Sequence, residues 1–270
     1  MQNIAAVNSN CYHGYSIESA IEGIHKAGFH YIELTATKGW TEHVFPTMSF
    51  SRLWDIREEL KNADLVPIAM SGHCNLMDRA RLSDFISNIR LAGFFGCKYI
   101  VSSIGEAHIK NNAVSTDREA AENIRSLLPY LEENGLELVL EVHGEHGSGR
   151  SIKSVTDLVD SGLVSINYDT ANAIFYGDAD LAEDLDSCIG RVGYMHIKDK
   201  AGERREWNFP ALGKGCVDFP MIFEKLRKAG NNCPLSIEIE FTESGSESVE
   251  EVDRAVADSA LYLQKLGFRL

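Results

Sequence analysis

The sequence predicts an α/β protein, specifically a (β/α)8 or TIM barrel, and three observations lead to this fold class. Short apolar runs alternate along the chain with segments whose apolar residues recur at helical spacing. Eight such strand-then-helix units of roughly 30 residues each fill the 270-residue chain, as in barrels of this size. Several of the later strands end abruptly in a carboxylate or an imidazole, which is typical of barrel strands that run out into an active site.

The eight predicted strands are short and rich in β-branched, aromatic or other apolar residues. Pro67 lies within the third predicted strand, where a proline is unusual, so the sequence defines the bounds of that strand least sharply. The predicted strands are residues 3–7, 31–34, 65–70, 98–102, 138–143, 164–169, 192–196 and 235–238.

The predicted helices follow from apolar spacing together with capping residues. Ser16 gives a partial capping signal, because the third helical position is Ser19 and not a glutamate or glutamine. Gly135 ends a long amphipathic helix, and Asp218 is a good cap for a helix with Pro220 in its first turn. The predicted helices are residues 17–27, 51–63, 82–96, 116–134, 154–162, 181–189, 218–229 and 249–266.

Length and composition favour one domain over residues 1–270, because 44% hydrophobic residues can build a substantial single core. A doubly wound open sheet is the alternative fold, but the chain lacks its glycine-rich phosphate-binding fingerprint. The formal net charge of -14 argues against nucleic acid as a partner. The remaining candidate partners are a small molecule and further copies of the chain.

Two features of the sequence indicate a cytoplasmic protein. The amino terminus has no basic segment followed by an apolar stretch, and no run approaches the ~18 apolar residues of a membrane span. The six cysteines are scattered singly, so they suggest neither a zinc knuckle nor a disulfide framework. We therefore expect no membrane association and a reducing compartment.

Four residues at the ends of the last four strands are the candidate metal ligands: Glu141, Asp169, His196 and Glu238. Consecutive parallel strands lie about 4.8 Å apart, so neighbouring strand ends can place these side chains around one ion. Three carboxylates and one imidazole favour Mn²⁺ or Mg²⁺, with Co²⁺ or Zn²⁺ also possible. Taken singly, each residue is equally well a solvated carboxylate or a hydrogen-bonded histidine, and the prediction depends on all four together.

Several motifs make the chain resemble the sugar-phosphate isomerase/epimerase family of xylose-isomerase-like TIM barrels. The resemblance covers nearly the whole sequence but identifies no substrate. The motifs are Leu140-Glu141-Val142-His143, Tyr168-Asp169-Thr170-Ala171-Asn172, Met195-His196-Ile197-Lys198-Asp199, the segment 212–219, and Ile237-Glu238-Ile239-Glu240. In that family the residues matching the four candidate ligands bind one divalent cation.

The resemblance also implies a mechanism. Glu141 and Glu238 would face opposite sides of the substrate, one removing a proton beside a carbonyl and the other delivering one. A cation on the carbonyl and hydroxyl oxygens would stabilise the enediolate charge that develops. Asp169 and His196 would be mainly ligands. Glu240 lies on the same strand face as Glu238 and competes with it as a ligand, but Glu238 matches the family motif.

Four further residues are candidate substrate contacts. His73, after the third strand, matches a histidine that family members use for a substrate hydroxyl, and Glu33 matches a glutamate that orients substrate or supports the site. Asn172 follows Asp169 by three residues, and Lys198 shares a face with His196, where it would meet an anionic group of the substrate or a neighbouring carboxylate. Structural roles are the alternative for each of them.

The sequence departs from ketose 3-epimerases at two positions. The substrate-contacting residues that those enzymes place shortly after the fifth- and seventh-strand ligands are replaced here by Gly147 and Gly202. The leading hypothesis is therefore a divalent-metal-dependent isomerase or epimerase of a small sugar or other polyhydroxy carbonyl compound, with no single substrate assigned. The alternatives are a dehydratase of a keto-polyol or keto-acid and a sugar-binding barrel that keeps the metal without turnover.

The long loop of residues 199–217 has three interpretations: a lid over the active site, a subunit contact in a homo-oligomer, or an exposed charged loop.

Overall fold

The computed structural model describes residues 3–107 and 115–270, and its centre is a closed barrel of eight parallel strands. The barrel strands are β1 (Ala5–Asn8), β2 (Tyr31–Thr35), β3 (Val66–Ser71), β4 (Tyr99–Ser102), β5 (Glu137–Glu141), β6 (Val164–Asp169), β7 (Val192–Ile197) and β9 (Leu235–Ile237). Each strand pairs with the next in this order, and β9 closes the barrel on β1 with Leu235 opposite Ala5. The predicted fold class is confirmed.

Helices connect the strands and cover the outside of the barrel. Their bounds are α1 (Ile17–Lys26), α2 (Phe50–Asn62), α3 (Leu82–Phe95), α4 (Asp117–Arg125), α5 (Leu128–Asn134), α6 (Gly149–Val159), α7 (Thr170–Phe175), α8 (Leu181–Cys188), α9 (Phe219–Ala229) and α10 (Val249–Lys265). Two short strands outside the barrel, β8 (Asn208–Phe209) and β10 (Phe241–Thr242), pair antiparallel with each other. Among the described residues no helix is both long and apolar enough to cross a bilayer.

Side-chain alternation along each strand separates two cores. On β5, Leu138 and Leu140 pack outward in the large core between barrel and helices, whereas Val139 joins a small cluster inside the barrel. Because side chains alternate, Glu141 points inward like Val139. The same alternation turns His196 inward two residues after Tyr194, which belongs to the inner cluster. The strand pattern thus delivers polar side chains to one end of the barrel interior.

The long helix predicted over residues 116–134 is wrong, because the structure has two helices there. Pro129 lies at the start of α5; it lacks an N–H and its ring clashes with the carbonyl four residues earlier. The chain therefore leaves α4 after Arg125 and restarts at Leu128. Helix α6 also begins earlier than predicted, at Gly149, because Ser148 accepts a hydrogen bond from Ser151 N and caps it.

The short helix α7 was not predicted. It begins directly after the strand-end residue Asp169, whose Oδ1 accepts a hydrogen bond from Asn172 N at 2.8 Å. Asp169 is therefore both the last residue of β6 and the N-cap of α7, and this leaves no loop residues between the two elements to indicate a helix start.

One buried carboxylate holds together the two ends of the loop of residues 199–217. Asp199 Oδ1 accepts from Lys200 N and Val217 N, and Oδ2 accepts from Gly213 N and Gly215 N, all at 2.8–3.1 Å. Pairing of β8 with β10 holds the middle of the loop. The loop is thus an ordered part of the barrel rim, with a single side chain joining its two ends.

We expect Asp199→Asn to destabilise the protein while keeping the side-chain shape. The new amide group would face two N–H donors that it cannot accept from, and each buried donor left without a partner costs about 1–3 kcal/mol. A loss of about 2 kcal/mol or more in the free energy of unfolding would appear in urea titrations followed by circular dichroism.

Asp258→Asn is the matched control, because Asp258 is half exposed and 3.7 Å from the exposed Lys214. It should change stability by no more than about 0.5 kcal/mol. Equal effects of the two substitutions would contradict the role given to Asp199.

Candidate metal and catalytic site

The four predicted ligands converge at one end of the barrel. One ligand atom from each of Glu141, Asp169, His196 and Glu238 lies within 4.8 Å of every other, and all four residues are buried. Three of them end or directly follow their strands, and His196 is the penultimate residue of β7. This convergence is the geometry that the strand-end argument predicted.

Asp169 provides the clearest sign that a cation fits here. Its Oδ1 is used by α7, but its buried Oδ2 accepts no hydrogen bond from the described residues, and His196 Nδ1 is 3.8 Å away. Burial raises the pKa of Asp169 well above its usual range; Lys198 opposes this and Glu141 and Glu238 reinforce it. A divalent cation would pair with this oxygen and stabilise the ionised form, so the donor set fits a hard metal ion.

His196 is oriented by Glu33, which lies behind it. Its Nε2 is 3.1 Å from both carboxylate oxygens of Glu33, and its Nδ1 faces Glu141 Oε1 at 3.1 Å. Ser71 Oγ and the Tyr194 hydroxyl donate to the Glu33 oxygens at 2.9 and 3.1 Å. Donation from Nε2 to Glu33 leaves Nδ1 free to coordinate, the arrangement usual for metal-binding histidines. Glu33 does not line the cleft, so its position suits the supporting role better than the substrate contact.

Glu141 is surrounded by groups that keep it ionised. His73 Nε2 lies 3.0 Å from its Oε2, and Asn172 Nδ2 donates to its Oε1 at 3.3 Å. Ser103 N donates to His73 Nδ1, so the neutral His73 ring carries its proton on Nε2, toward Glu141. Burial alone would raise the pKa of Glu141, but His73 and His196 together hold it well below its usual range. Glu141 is therefore ionised near pH 7.

Glu238 belongs to a second hydrogen-bonded group on the opposite side of the cluster. Its Oε1 accepts from Asn8 Nδ2 and Asn10 Nδ2, both at 3.2 Å, and its Oε2 is 3.1 Å from Lys198 Nζ. Lys198 also contacts Glu240 Oε2 at 2.5 Å. Lys198 is thus paired with two carboxylates, as in the predicted contact with a neighbouring carboxylate. Glu240 lies outside the four-ligand cluster.

A cleft of about 390 Å³, including its open mouth, reaches the cluster at Glu141 and Glu238. Three of the predicted substrate contacts, His73, Asn172 and Lys198, line it. Sequence reasoning missed Asn10 and Tyr176, which also line it. Asn10 follows β1, so the strand-end rule applied to the first strand would have found it. Tyr176 follows α7 and could not be placed without that helix.

His143 lines the cleft as well, although the sequence suggested a supporting role for it. Its ring packs on Tyr176 with the ring centroids 4.7 Å apart, and Tyr176 Oη is 3.4 Å from its Nε2. Burial lowers the pKa of His143 to about 4, so this ring is neutral near pH 7. It offers a hydrogen bond to a ligand without adding charge.

The fold is a closed parallel barrel, and its buried cluster of three carboxylates and one imidazole has donor atoms that could hold a metal ion. The family model described as xylose isomerase-like TIM barrel matches residues 21–266, and the chain belongs to this family. The family expected from the motifs is therefore confirmed.

One curated relative is an inosose dehydratase from Geobacillus kaustophilus (strain HTA426), with 28% identity over 197 residues. The match covers 60% of this chain and 64% of that protein, so the chain spans less than two thirds of the relative's length.

Solved structures share the whole fold at low identity. A D-psicose 3-epimerase crystallised in the presence of D-fructose superposes with a TM-score of 0.75 at 15% identity, covering 97% of this chain and 98% of that one. A xylose isomerase-like TIM barrel protein from Mycobacterium smegmatis in complex with magnesium gives a TM-score of 0.75 at 18% identity, covering 98% and 96%. At these identities the similarity shows the fold alone.

We expect Glu238→Gln to abolish tight Mn²⁺ binding and Glu240→Gln to preserve a one-to-one complex. Only Glu238 lies in the ligand cluster, whereas Glu240 is held by Lys198 and Asn10. Isothermal titration calorimetry on metal-stripped protein measures both constants. If only Glu240→Gln lost Mn²⁺ binding, Glu240 would be the metal ligand and Glu238 would not.

We expect Glu33→Gln to weaken Mn²⁺ binding about 10- to 100-fold without unfolding the protein. An amide cannot accept from His196 Nε2 with both of its terminal atoms, so the ring would lose its fixed orientation. The same titration measures the affinity, and circular dichroism checks the fold. An unchanged dissociation constant would show that Glu33 does not orient the ligand.

Proposed function

We propose that this protein is a divalent-metal-dependent isomerase or epimerase of a small, uncharged polyhydroxy carbonyl compound. The observation that carries the proposal is the placement of two ionisable glutamates, Glu141 and Glu238, within one buried cluster of metal-ligand geometry. Mn²⁺ or Mg²⁺ best suits three carboxylates and an imidazole.

Glu141 is the proposed base. Its pKa is held low by His73 and His196 against the effect of burial, and it lines the cleft. A carboxylate in that state can take the proton beside a substrate carbonyl. A cation held by Glu141, Asp169, His196 and Glu238 supplies stabilisation of the negative charge that develops on the substrate oxygens.

Glu238 is the proposed partner on the other side of the substrate. Lys198 Nζ lies 3.1 Å from its Oε2, and the neighbouring carboxylates hold the pKa of Lys198 well above its usual range, so it stays a cation. Burial raises the pKa of the adjacent Glu240, with Lys198 opposing this effect. Glu240 is therefore a group beside Glu238 that can hold a proton, and Lys198 keeps the two carboxylates together. If a proton returns from this side to the carbon that lost one, the configuration of that carbon inverts. If it returns to the neighbouring carbon, the carbonyl group moves.

The charge of the cleft favours a substrate without a phosphate. Lys198 is the one lysine or arginine among the described lining residues, and two carboxylates already neutralise it. A dianionic group would meet Glu141, Glu238 and Glu240 at close range with no unpaired cationic side chain to receive it. Neutral hydroxyl and carbonyl groups match the asparagine, histidine and tyrosine side chains that line the wall.

Dehydration of a keto-polyol is the second candidate: one observation favours it, and another weakens a competing reaction. The curated relative reported above is an inosose dehydratase. In addition, a side chain cannot be accommodated at Gly147, because a Cβ there would lie 2.8 Å from the backbone of Tyr176 and Gly177. The glutamate that ketose 3-epimerases place near this position is therefore excluded, which weakens 3-epimerisation of free ketoses in particular. Both reactions begin with the same proton abstraction.

The test is turnover in heavy water with Mn²⁺ and a panel of neutral ketoses and inososes. We expect deuterium at a carbon beside the carbonyl, detected by mass spectrometry and NMR. A product of unchanged carbon skeleton and formula marks isomerisation, and a product lighter by one water marks dehydration. Turnover with no solvent deuterium in any product would contradict proton abstraction.

Glu141→Gln should lower the rate of exchange by about 10²- to 10⁴-fold, the usual range for loss of an acid–base group. Manganese content must be measured in the same sample, so that loss of the base is separated from loss of the ion. Glu132→Gln is the matched control, because Glu132 is exposed on α5 and absent from the lining of the cleft. It should leave the rate unchanged.

A further inference from the structure

A second, larger cleft adjoins the catalytic one. It encloses about 920 Å³ with its open mouth, against about 390 Å³ for the inner cleft. Asn10, Trp40, Trp207 and Glu240 line both, so the two clefts share a boundary made of four side chains. A molecule that places its reacting end near Glu141 and Glu238 can therefore extend past these residues into the outer cleft.

Aromatic rings on the walls of the outer cleft are held in fixed positions. Trp40 stacks on His13 with ring centroids 4.1 Å apart, and its Nε1 donates to Asn10 Oδ1 at 3.0 Å. Trp207 packs edge-on against Phe209 and Phe175 at 5.1 and 5.8 Å. Fixed rings of this kind offer binding area at little cost in conformational entropy.

A third aromatic residue of this wall, Phe241, has a backbone conformation that aromatic residues rarely adopt. Its φ is 59°, in the left-handed region, which costs on the order of 1–2 kcal/mol for a residue with a Cβ. Two backbone interactions hold it there: Phe241 pairs with Phe209 between β10 and β8, and Glu240 N donates to Phe209 O at 3.2 Å. The sheet pairing thus fixes Phe241 on the wall of the outer cleft.

Polar groups alternate with these rings. Thr242, Ser244 and Ser246 contribute hydroxyl groups, and Glu240 and Glu243 contribute carboxylates. A pyranose ring presents C–H groups on its faces and hydroxyl groups around its edge, so it matches a wall of aromatic faces interrupted by hydroxyl and carboxylate acceptors. A purely apolar group would leave the polar side chains without partners.

We propose that the outer cleft binds a second sugar ring, joined by a glycosidic bond to the polyhydroxy carbonyl unit that reacts in the inner cleft. The inference rests on the proposed function, because it extends that substrate outward past Trp40 and Trp207. The preferred substrate class is accordingly a keto-disaccharide or a glycoside of a keto-sugar, and a free monosaccharide fills only the inner cleft.

The experiment compares the binding of D-fructose with that of two glucosyl-fructoses, maltulose and isomaltulose, to the Mn²⁺-loaded full-length protein by isothermal titration calorimetry. We expect at least one disaccharide to bind 10-fold or more tightly than D-fructose. Equal or weaker binding of both disaccharides would overturn the proposal.

Ser244→Trp tests the location, because Ser244 is exposed, lines only the outer cleft, and a tryptophan there would fill it. The variant should lose the advantage of the disaccharide and bind D-fructose as before. Ser83→Trp, on the exposed face of α3, is the matched control and should retain the advantage. A Ser244 variant that keeps the full advantage would place the second ring elsewhere and overturn the assignment.

Two further ligands test the chemical class of the second ring. Tighter binding of 4-nitrophenyl β-D-glucopyranoside than of methyl β-D-glucopyranoside, without any gain for the disaccharides, would show an aryl site and overturn the sugar assignment. These binding measurements do not depend on turnover. Absence of catalysis therefore counts against the proposed function alone, whereas a disaccharide that binds no more tightly than D-fructose counts against the outer site.

Discussion

The mutual repulsion of carboxylates buried at one end of the barrel is the constraint on which the rest of the site depends. Glu33, Glu141, Asp169 and Glu238 are all buried there, each 6% exposed or less. Burying like charges side by side is unfavourable unless positive groups or protons compensate them. The described compensation is His196 at the centre, His73 beside Glu141 and Lys198 at the edge, and it leaves Asp169 Oδ2 without a hydrogen bond. A cation at this point would complete the charge balance, so the electrostatics of the fold and the proposed chemistry have one origin.

The polar groups around the cluster divide the carboxylates into two kinds. Glu141 faces two histidines, which favour its charged form, whereas Glu240 and Asp169 have raised pKa values because burial is incompletely offset. Neighbouring carboxylates thereby differ in their readiness to accept or hold a proton. The proposed acid–base chemistry would use such a difference, which here comes from side chains that the closed barrel brings together from non-adjacent strands.

Much of the fold and of the candidate metal cluster was predictable because both follow from strand periodicity. The alternation that puts Leu138 and Leu140 outward and Glu141 inward is visible in the sequence, and the ends of parallel strands must meet. The failures have different physical origins. Pro129 broke the helix predicted over residues 116–134, and Asp169 served as strand end and helix cap at once, which concealed α7.

Some contacts were beyond sequence reasoning in principle. That Glu33 lies behind His196, and that Lys198 pairs with Glu238 and Glu240, depends on side-chain rotamers and on register between strands distant in the chain. The second cleft depends on β8 and β10, each of two residues, which are too short to produce a periodic signal. The residues that line the outer cleft were for this reason harder to predict than the candidate metal ligands at the strand ends.

The four backbone N–H groups that donate to Asp199 have a consequence for how this loop can tolerate substitution. They fix both ends of the loop of residues 199–217 independently of the side chains between them, such as Trp207. Substitutions along the middle of this loop can change which molecules fit while the anchored ends keep their course. One buried aspartate thus lets the course of the loop stay the same while the side chains that face a ligand change.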